Sequence, residues 1–245
     1  MAWMLLGSFL LTSGVFLLND IADLRHDREV LQKQPRAIRL QRLGRRRLGS
    51  IAALTGIGGI LLIAELNVWS ALYAVGVFLA GIVYSAPLFR FKERPVISSL
   101  THLFGGLLHF MVGYSLGAGP FLHGIMIGTF FAAVFMAGHL VHEVRDYEGD
   151  TDTGVLTNAS RFGRRPTFVA SLALFVLLPL YAVLIASLGL APRAFMVAAL
   201  SIPVVLYASR GPLRRSFDSA TVVRFQTVYR LTYLCLGGYW LVALT

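Results

Sequence analysis

Apolar residues run along this chain in eight blocks, at about 2–18, 50–66, 68–86, 100–118, 121–142, 167–188, 193–208 and 226–244. Seven have the length of a membrane-crossing helix, for which the hydrocarbon layer of roughly 30 Å sets the requirement, and 193–208 is shorter. The polar segments between the blocks are of two kinds. Short breaks at Glu65-Leu66-Asn67, Gly117-Ala118-Gly119-Pro120 and Gly189-Leu190-Ala191-Pro192 carry turn residues and predict tight connectors at one end of the helices. Longer stretches at 19–49, 87–99, 143–166 and 209–225 alternate with them and predict connectors at the other end. The pattern therefore predicts an all-α, polytopic membrane helix bundle of about eight transmembrane helices, forming a single domain over residues 1–245.

Composition strengthens this reading. Of the 245 residues 56% are hydrophobic and only 14% charged, where a soluble domain carries about 25% charged residues. The net charge of +10 raises the question of a nucleic-acid partner. Twenty of the 22 Lys and Arg residues, however, are divided among the four longer connectors instead of gathering on one soluble face, which excludes that partner. The same bias places those connectors in the cytoplasm. An even number of spans then puts both termini outside. The one cysteine, Cys235, lies in an apolar block, so neither a disulfide framework nor a thiolate metal cluster is expected. Block 2–18 lacks a basic leader and ends on an acidic motif, which excludes a cleaved signal peptide.

Candidate chemistry gathers on the longer connectors. After the first block comes Asn19-Asp20-Ile21-Ala22-Asp23-Leu24-Arg25-His26-Asp27. On a continuing helix Asn19, Asp23 and Asp27 share one face at i, i+4 and i+8. Oxygen ligands at that spacing suit a hard divalent cation, Mg²⁺ above all, which completes its shell with water and substrate phosphate. A second acidic run follows the fifth block, and Glu143, Asp146 and Asp150 again fall on one helical face. Two carboxylate faces at membrane borders read as one split metal site. Lys33 and Arg36 follow the first motif, while the Arg45–Arg47 cluster reads equally well as anchoring to anionic lipid. A third stretch, from Tyr84 through Pro87 to Lys92 and Arg94, adds an aromatic ring, a hydroxyl and cations. His102, His109 and His139 lie inside apolar blocks and are expected to face the bundle interior.

Acidic faces with nearby cations fit diphosphate chemistry, with bridging Mg²⁺ required by charge balance and diphosphate neutralised as it leaves. The apolar surroundings demand a long hydrocarbon tail, and a prenyl diphosphate meets both demands. Tyr84 is a candidate to stabilise an allylic cation through its ring face.

These motifs resemble the UbiA superfamily of intramembrane prenyltransferases. NDxxDxxxD is present in full from Asn19 to Asp27. The following K-x-x-R-P-I-x-x-G stretch is present in part, as Lys33, Arg36 and Ile38, with Ala37 and Gln41 where Pro and Gly are usual. YSxPPLRxK is matched by Tyr84-Ser85-Ala86-Pro87-Leu88-Phe89-Arg90-Phe91-Lys92. DxEGDxxxGxxTxAxxxG is matched by Asp146, Glu148, Gly149, Asp150, Gly154, Thr157, Ala159 and Gly163. The resemblance implies a helical bundle around a central cavity. It further implies two Mg²⁺ ions held by Asn19, Asp23, Asp27, Asp146 and Asp150, with Lys33, Arg36, Lys92 and Arg94 on phosphate oxygens. It implies a prenyl diphosphate donor and a small hydrophobic, often aromatic, acceptor at a bacterial or archaeal plasma membrane. The family usually has nine spans, with the first motif after the second. Here it follows the first block, so an N-terminal helix is expected to be missing, which leaves an impaired or accessory homologue as an alternative. A cation transporter is the other, and it is disfavoured because the carboxylates stand at span ends instead of mid-bilayer.

Overall fold

The computed structural model describes residues 2–30, 34–117 and 119–244. Among them every apolar block lies on a helix. The helices are α1 (Ala2–Asp23), α2 (Gln34–Leu43), α3 (Arg45–Ala64), α4 (Val68–Ser85), α5 (Ile97–Tyr114), α6 (Phe121–Asp152), α7 (Asn158–Phe162), α8 (Arg164–Ser187), α9 (Ser201–Arg214) and α10 (Ser219–Ala243). Short 3₁₀ turns occupy His26–Arg28 and Phe91–Glu93, and a longer 3₁₀ stretch, Arg193–Leu200, leads into α9. Six rods are long and apolar enough to cross a membrane: α1, α3, α4, α6, α8 and the Arg193–Arg214 run. The remaining two expected spans lie on α5, diluted by His102 and His109, and on α10, diluted by Arg224, Gln226 and Arg230.

The chain divides into two compact units, residues 1–119 with 152–154, and residues 120–151 with 155–245. In the first, α1 packs along α3 and α4, and α4 along α5. Leu11, Ile63, Ala74, Val77 and Val112 form its core. Glycine permits the close approach of α1 to α3. A Cβ on Gly14 would lie 2.8 Å from the Ala52 carbonyl oxygen, and one on Gly59 would lie 2.5 Å from the Leu11 nitrogen. Backbone atoms cannot rotate away as a side chain can. Gly59→Ala is therefore expected to cost about 1–3 kcal/mol by forcing the helices apart. It should lower the thermal midpoint in detergent, while Gly58→Ala, where a Cβ meets open space, should not. Equal midpoints for the two variants would show that the helix contact does not depend on Gly59.

Asn67 starts α4 by accepting from the Trp69 and Ser70 backbone N–H groups at 2.8 and 3.2 Å, the capping role expected of an Asn before an apolar helix. Pro87 lies two residues beyond the end of that helix, where it blocks continuation.

In the second unit α6 has 32 residues, a length of about 48 Å against a hydrocarbon layer of about 30 Å. Its last turns thus extend beyond the apolar block and carry the second acidic motif. Phe168, Phe175, Phe225 and Tyr229 belong to the core, with Val144 of α6 packed among them. Two hydroxyls tie α8 to α6: Ser171 donates to the Ala137 carbonyl at 2.7 Å and Tyr181 to the Met126 carbonyl at 2.9 Å. Asp218 caps α10, and the Thr221 hydroxyl and backbone N–H it accepts from hold its carboxyl below the usual carboxylate range.

Candidate active site

The first unit brings together two motif stretches that lie far apart in sequence, 19–27 and 84–92. Asn19 and Asp23 are one turn apart at the end of α1. Ser85, the last residue of α4, donates to Asn19 Oδ1 at 3.3 Å. Lys92, on the 3₁₀ turn beyond, ion-pairs with Asp23 and reaches Asn19 Oδ1 at 3.5 Å. Its side chain is only 9% exposed, so this is a nearly desolvated cation held between an amide and a carboxylate. The loop that delivers it is strained. Arg90 and Val96, on either side of Lys92, have φ of 42° and 66°, and non-glycine residues in such regions cost on the order of 1–3 kcal/mol each.

Around this centre Arg36 of α2 reaches back to Asp20 at 2.5 Å, and the guanidinium remains largely exposed. Asp23 and Asp27 both lie within electrostatic reach of Asp20. The expected single helical face for Asn19, Asp23 and Asp27 is corrected in one respect. The α-helix ends at Asp23, and Asp27 sits on the following 3₁₀ turn. Past the buried Leu24 the chain offers only polar and charged residues as far as Glu29. No apolar stripe remains to hold an α-helix, and a 3₁₀ turn is a common way for a helix to finish. Tyr84 packs its ring edge-on to His102, with centroids 5.0 Å apart. Arg94 is exposed, with its guanidinium over Phe91 at 5.5 Å. Lys33 lies outside the described residues. The intramembrane histidines of this unit are partnered: His109 Nε2 lies 2.6 Å from Ser8 Oγ, and His102 Nδ1 lies 3.0 Å from the Ser98 carbonyl oxygen.

In the second unit Asp146 lies beside Arg145, whose Nε donates to Oδ1 at 2.6 Å. Asp150 is buried near the end of α6, and its carbonyl accepts from Val155 N–H at 2.8 Å, turning the chain back. Gly154, with φ of 72°, occupies that turn, a left-handed conformation natural to glycine. Glu148 faces outward and pairs with Arg164 at 3.3 Å.

Glu143, read from its spacing as part of the acidic face, is engaged elsewhere. It is buried, and it accepts from the Asn158 backbone N–H at 3.0 Å and from Asn158 Nδ2 at 2.9 and 3.1 Å. His139 Nε2, one turn earlier, lies 3.0 Å from Glu143 Oε1. The carboxylate thus ties the start of α7 to α6 and fixes the return loop beyond Asp150. Glu143→Leu should strip these donors of their acceptor and cost about 2–5 kcal/mol. Amide hydrogen exchange over residues 153–160 should quicken, and Glu143→Gln should retain much of the protection. Unchanged exchange in Glu143→Leu would refute the tether.

The donor set can be tested for fit to Mg²⁺. Amide and carboxylate oxygens dominate, with Lys92 and Arg36 as the adjoining cations; the one imidazole of the first motif, His26, stands beside Asp27 on the 3₁₀ turn. Among the described residues no three His, Cys, Asp or Glu side chains form a closed metal cage. Oxygen donors short of a full cage fit Mg²⁺, which takes one or two carboxylates and completes its shell with water and phosphate.

Comparison with known proteins places the chain. The sequence profile of the UbiA prenyltransferase family matches residues 1–241, and the chain belongs to that family. It is an integral, multi-pass membrane protein. It is 26% identical over 170 residues to the digeranylgeranylglyceryl phosphate synthase of Sulfurisphaera tokodaii, covering 69% of this chain and 59% of that protein. It is 30% identical over 129 residues to the lycopene elongase/hydratase of Corynebacterium glutamicum, covering 51% of this chain and 45% of that one. The chain thus matches about half the length of these curated relatives. Among solved structures, a UbiA homolog from Archaeoglobus fulgidus bound to GPP and Mg²⁺ superposes with a TM-score of 0.75 at 19% identity, over 98% of this chain and 88% of that one. A digeranylgeranylglyceryl phosphate synthase structure gives 0.68 at 17% identity, over 97% and 83%. Both share the fold.

Proposed function

We propose that this protein transfers a prenyl group from a prenyl diphosphate to a hydrophobic acceptor inside the membrane, with Mg²⁺ as cofactor. The observation that carries the reading is the meeting of Asn19, Asp23, Ser85 and Lys92 at one end of the first unit. It joins oxygen donors for a metal to a cation for phosphate. Family membership and the GPP and Mg²⁺ bound to the Archaeoglobus fulgidus homolog support the same chemistry.

In this reading Asn19, Asp23 and Asp27 of the first motif and Asp146 and Asp150 of the second would hold Mg²⁺, two ions in all. Bound there, the metal supplies Lewis-acid neutralisation of the diphosphate. Lys92 and Arg36, joined by Lys33 and Arg94, take phosphate oxygens. The allylic carbon–oxygen bond breaks with its electron pair leaving on diphosphate. The acceptor then bonds to that carbon and gives up a proton. Prenyl diphosphate and acceptor thus become prenylated acceptor, diphosphate and a proton. Tyr84 offers a ring face to the allylic cation. The motif connectors lie on the cytoplasmic side of a bacterial or archaeal plasma membrane.

The test is to incubate the purified protein and Mg²⁺ with prenyl diphosphates of several lengths and a panel of acceptors, following both diphosphate and prenylated product. Mg²⁺-dependent formation of both is expected. Failure of every donor to react, with folded protein confirmed, would sink the proposal.

A further inference from the structure

The second unit holds a polar cluster that neither acidic motif explains. Arg145 and His142 on α6 face Gln226 and Arg230 on α10. Arg145 donates to Gln226 Oε1 at 3.4 Å, and Arg230 meets His142 Nε2 at 2.6 Å. A guanidinium only donates, so His142 Nε2 accepts and the imidazole is neutral in this contact. His142 lies ten residues before the end of α6 and Arg230 eleven after the start of α10, each about 15 Å along its helix from that end. His142 is the last residue of the apolar block 121–142, Arg145 lies just beyond it, and Arg230 is the fifth residue of the block 226–244. The cluster thus stands at the polar border of the apolar segments.

Two features mark the cluster as incomplete. The Gln226 side chain is buried, with 2% of the residue exposed. Its oxygen is turned to Arg145, so its amide nitrogen points elsewhere, and Nε2 finds no acceptor among the described residues. A buried amide donor is normally satisfied. Arg230 is exposed, and no described carboxylate lies within salt-bridge distance of it. Two guanidinium groups, an orphan amide N–H and one carboxylate, Asp146, leave the cluster with surplus donors and surplus positive charge.

We propose that Arg145, His142, Gln226 and Arg230 form a subsite for an anionic headgroup, phosphate or carboxylate, carried by the amphiphilic acceptor. The acceptor role rests on the prenyl-transfer reading above; recognition of the anion does not. Arg230, whose contacts with His142 and Tyr229 are to neutral groups, supplies the uncompensated charge. Gln226 supplies a neutral N–H that binds an anion and offers nothing to a cation. Arg145 sits next to Asp146, so a headgroup held here lies beside the second motif. The deeper apolar faces of α6 and α10 accommodate the tail.

The test uses the full chain in phosphatidylcholine nanodiscs with three probes, dodecyl phosphate, dodecanoate and dodecanol, and binding read by tryptophan fluorescence. The anionic probes should bind the wild type more tightly than the alcohol. Arg230→Gln should weaken them about 10- to 100-fold, the range for a hydrogen bond to a charged group, without changing dodecanol or farnesyl diphosphate binding. Gln226→Glu is the decisive second variant. It keeps an oxygen for Arg145, and hence the α6–α10 link, but sets a negative charge against the probe. It should lose the anionic probes while keeping the wild-type thermal midpoint. Arg214→Gln controls for bulk charge and should change nothing. The proposal is overturned by equal binding of all three probes, by equal loss of farnesyl diphosphate in Arg230→Gln, or by inorganic phosphate binding as tightly as dodecyl phosphate. Displacement of the probe by a modest fraction of phosphatidylglycerol would also overturn it, by making this a bulk-lipid site. Anion preference that depends on Arg230 in a protein binding no prenyl diphosphate would support the subsite and defeat only the transferase reading.

Discussion

Asp23→Asn should lower prenyl-transfer turnover by about two to three orders of magnitude, the scale on which losing one preorganised electrostatic group slows an enzyme. The substitution keeps the shape of the side chain and removes the charge that pairs with Lys92. Folding should survive, because the α1–α3 contact is made at Gly7, Leu11 and Gly14, two or more helical turns before Asp23. Half-saturation by Mg²⁺ should move to higher concentration. Asp150→Asn should produce a loss of similar size from the second unit. The double variant then distinguishes one site from two. Groups that act together on one diphosphate are strongly non-additive, so the double variant should be little slower than the worse single. Losses that multiply would show the two motifs working apart, and near-normal turnover in either single would remove that residue from the ligand set.

The separate roles of neighbouring acids explain which parts of the site could be read in the sequence. Asn19, Asp23, Ser85 and Lys92 belong to motifs whose chemistry is complementary: an amide and a carboxylate on one side, a hydroxyl and an ammonium on the other. Their meeting follows once both stretches are placed at the C-terminal ends of α1 and α4, which run the same way because α3 makes the return between them. Asp27 was less legible because a spacing of eight assumes an uninterrupted helix, whereas α1 stops at Asp23. Glu143 shares the periodicity of Asp146 and Asp150, yet its main partner is Asn158, supplied by the return loop. Periodicity assigns a residue to a face. It does not reveal what folds back onto that face.

The helical architecture was more legible than the chemistry at its edges. The breaks near residues 65–67, 117–120 and 189–192 all fall between long helices. The polar residues of α10 were harder to place. In an apolar block Gln226 and Arg230 look like blemishes, and only their proximity to Arg145 and His142 gives them a common meaning.

Lys92→Met should separate two quantities that Asp23→Asn moves in the same harmful direction. Lys92 occupies the Asp23 carboxylate, which in the proposed reading also serves the metal. Binding of Mg²⁺ without donor must therefore displace a nearly buried ammonium from Asp23. Methionine is a similarly long, uncharged side chain, so this competition disappears while the strained 86–96 loop keeps something to bury. Asp20, Asp23 and Asp27 are then left with one cation fewer. Metal affinity in the absence of donor should rise about tenfold, equivalent to about 1.4 kcal/mol. Turnover should nonetheless fall about a hundredfold, because the departing diphosphate loses a preorganised positive charge. Mn²⁺ titration followed by electron paramagnetic resonance reads the first quantity, and diphosphate release under saturating metal reads the second. If metal affinity falls along with turnover, Lys92 serves to shape Asp23 for the metal. If turnover is unchanged, Lys92 is no phosphate ligand. Only tighter metal binding combined with slower transfer fits a lysine that holds Asp23 until the diphosphate takes its place.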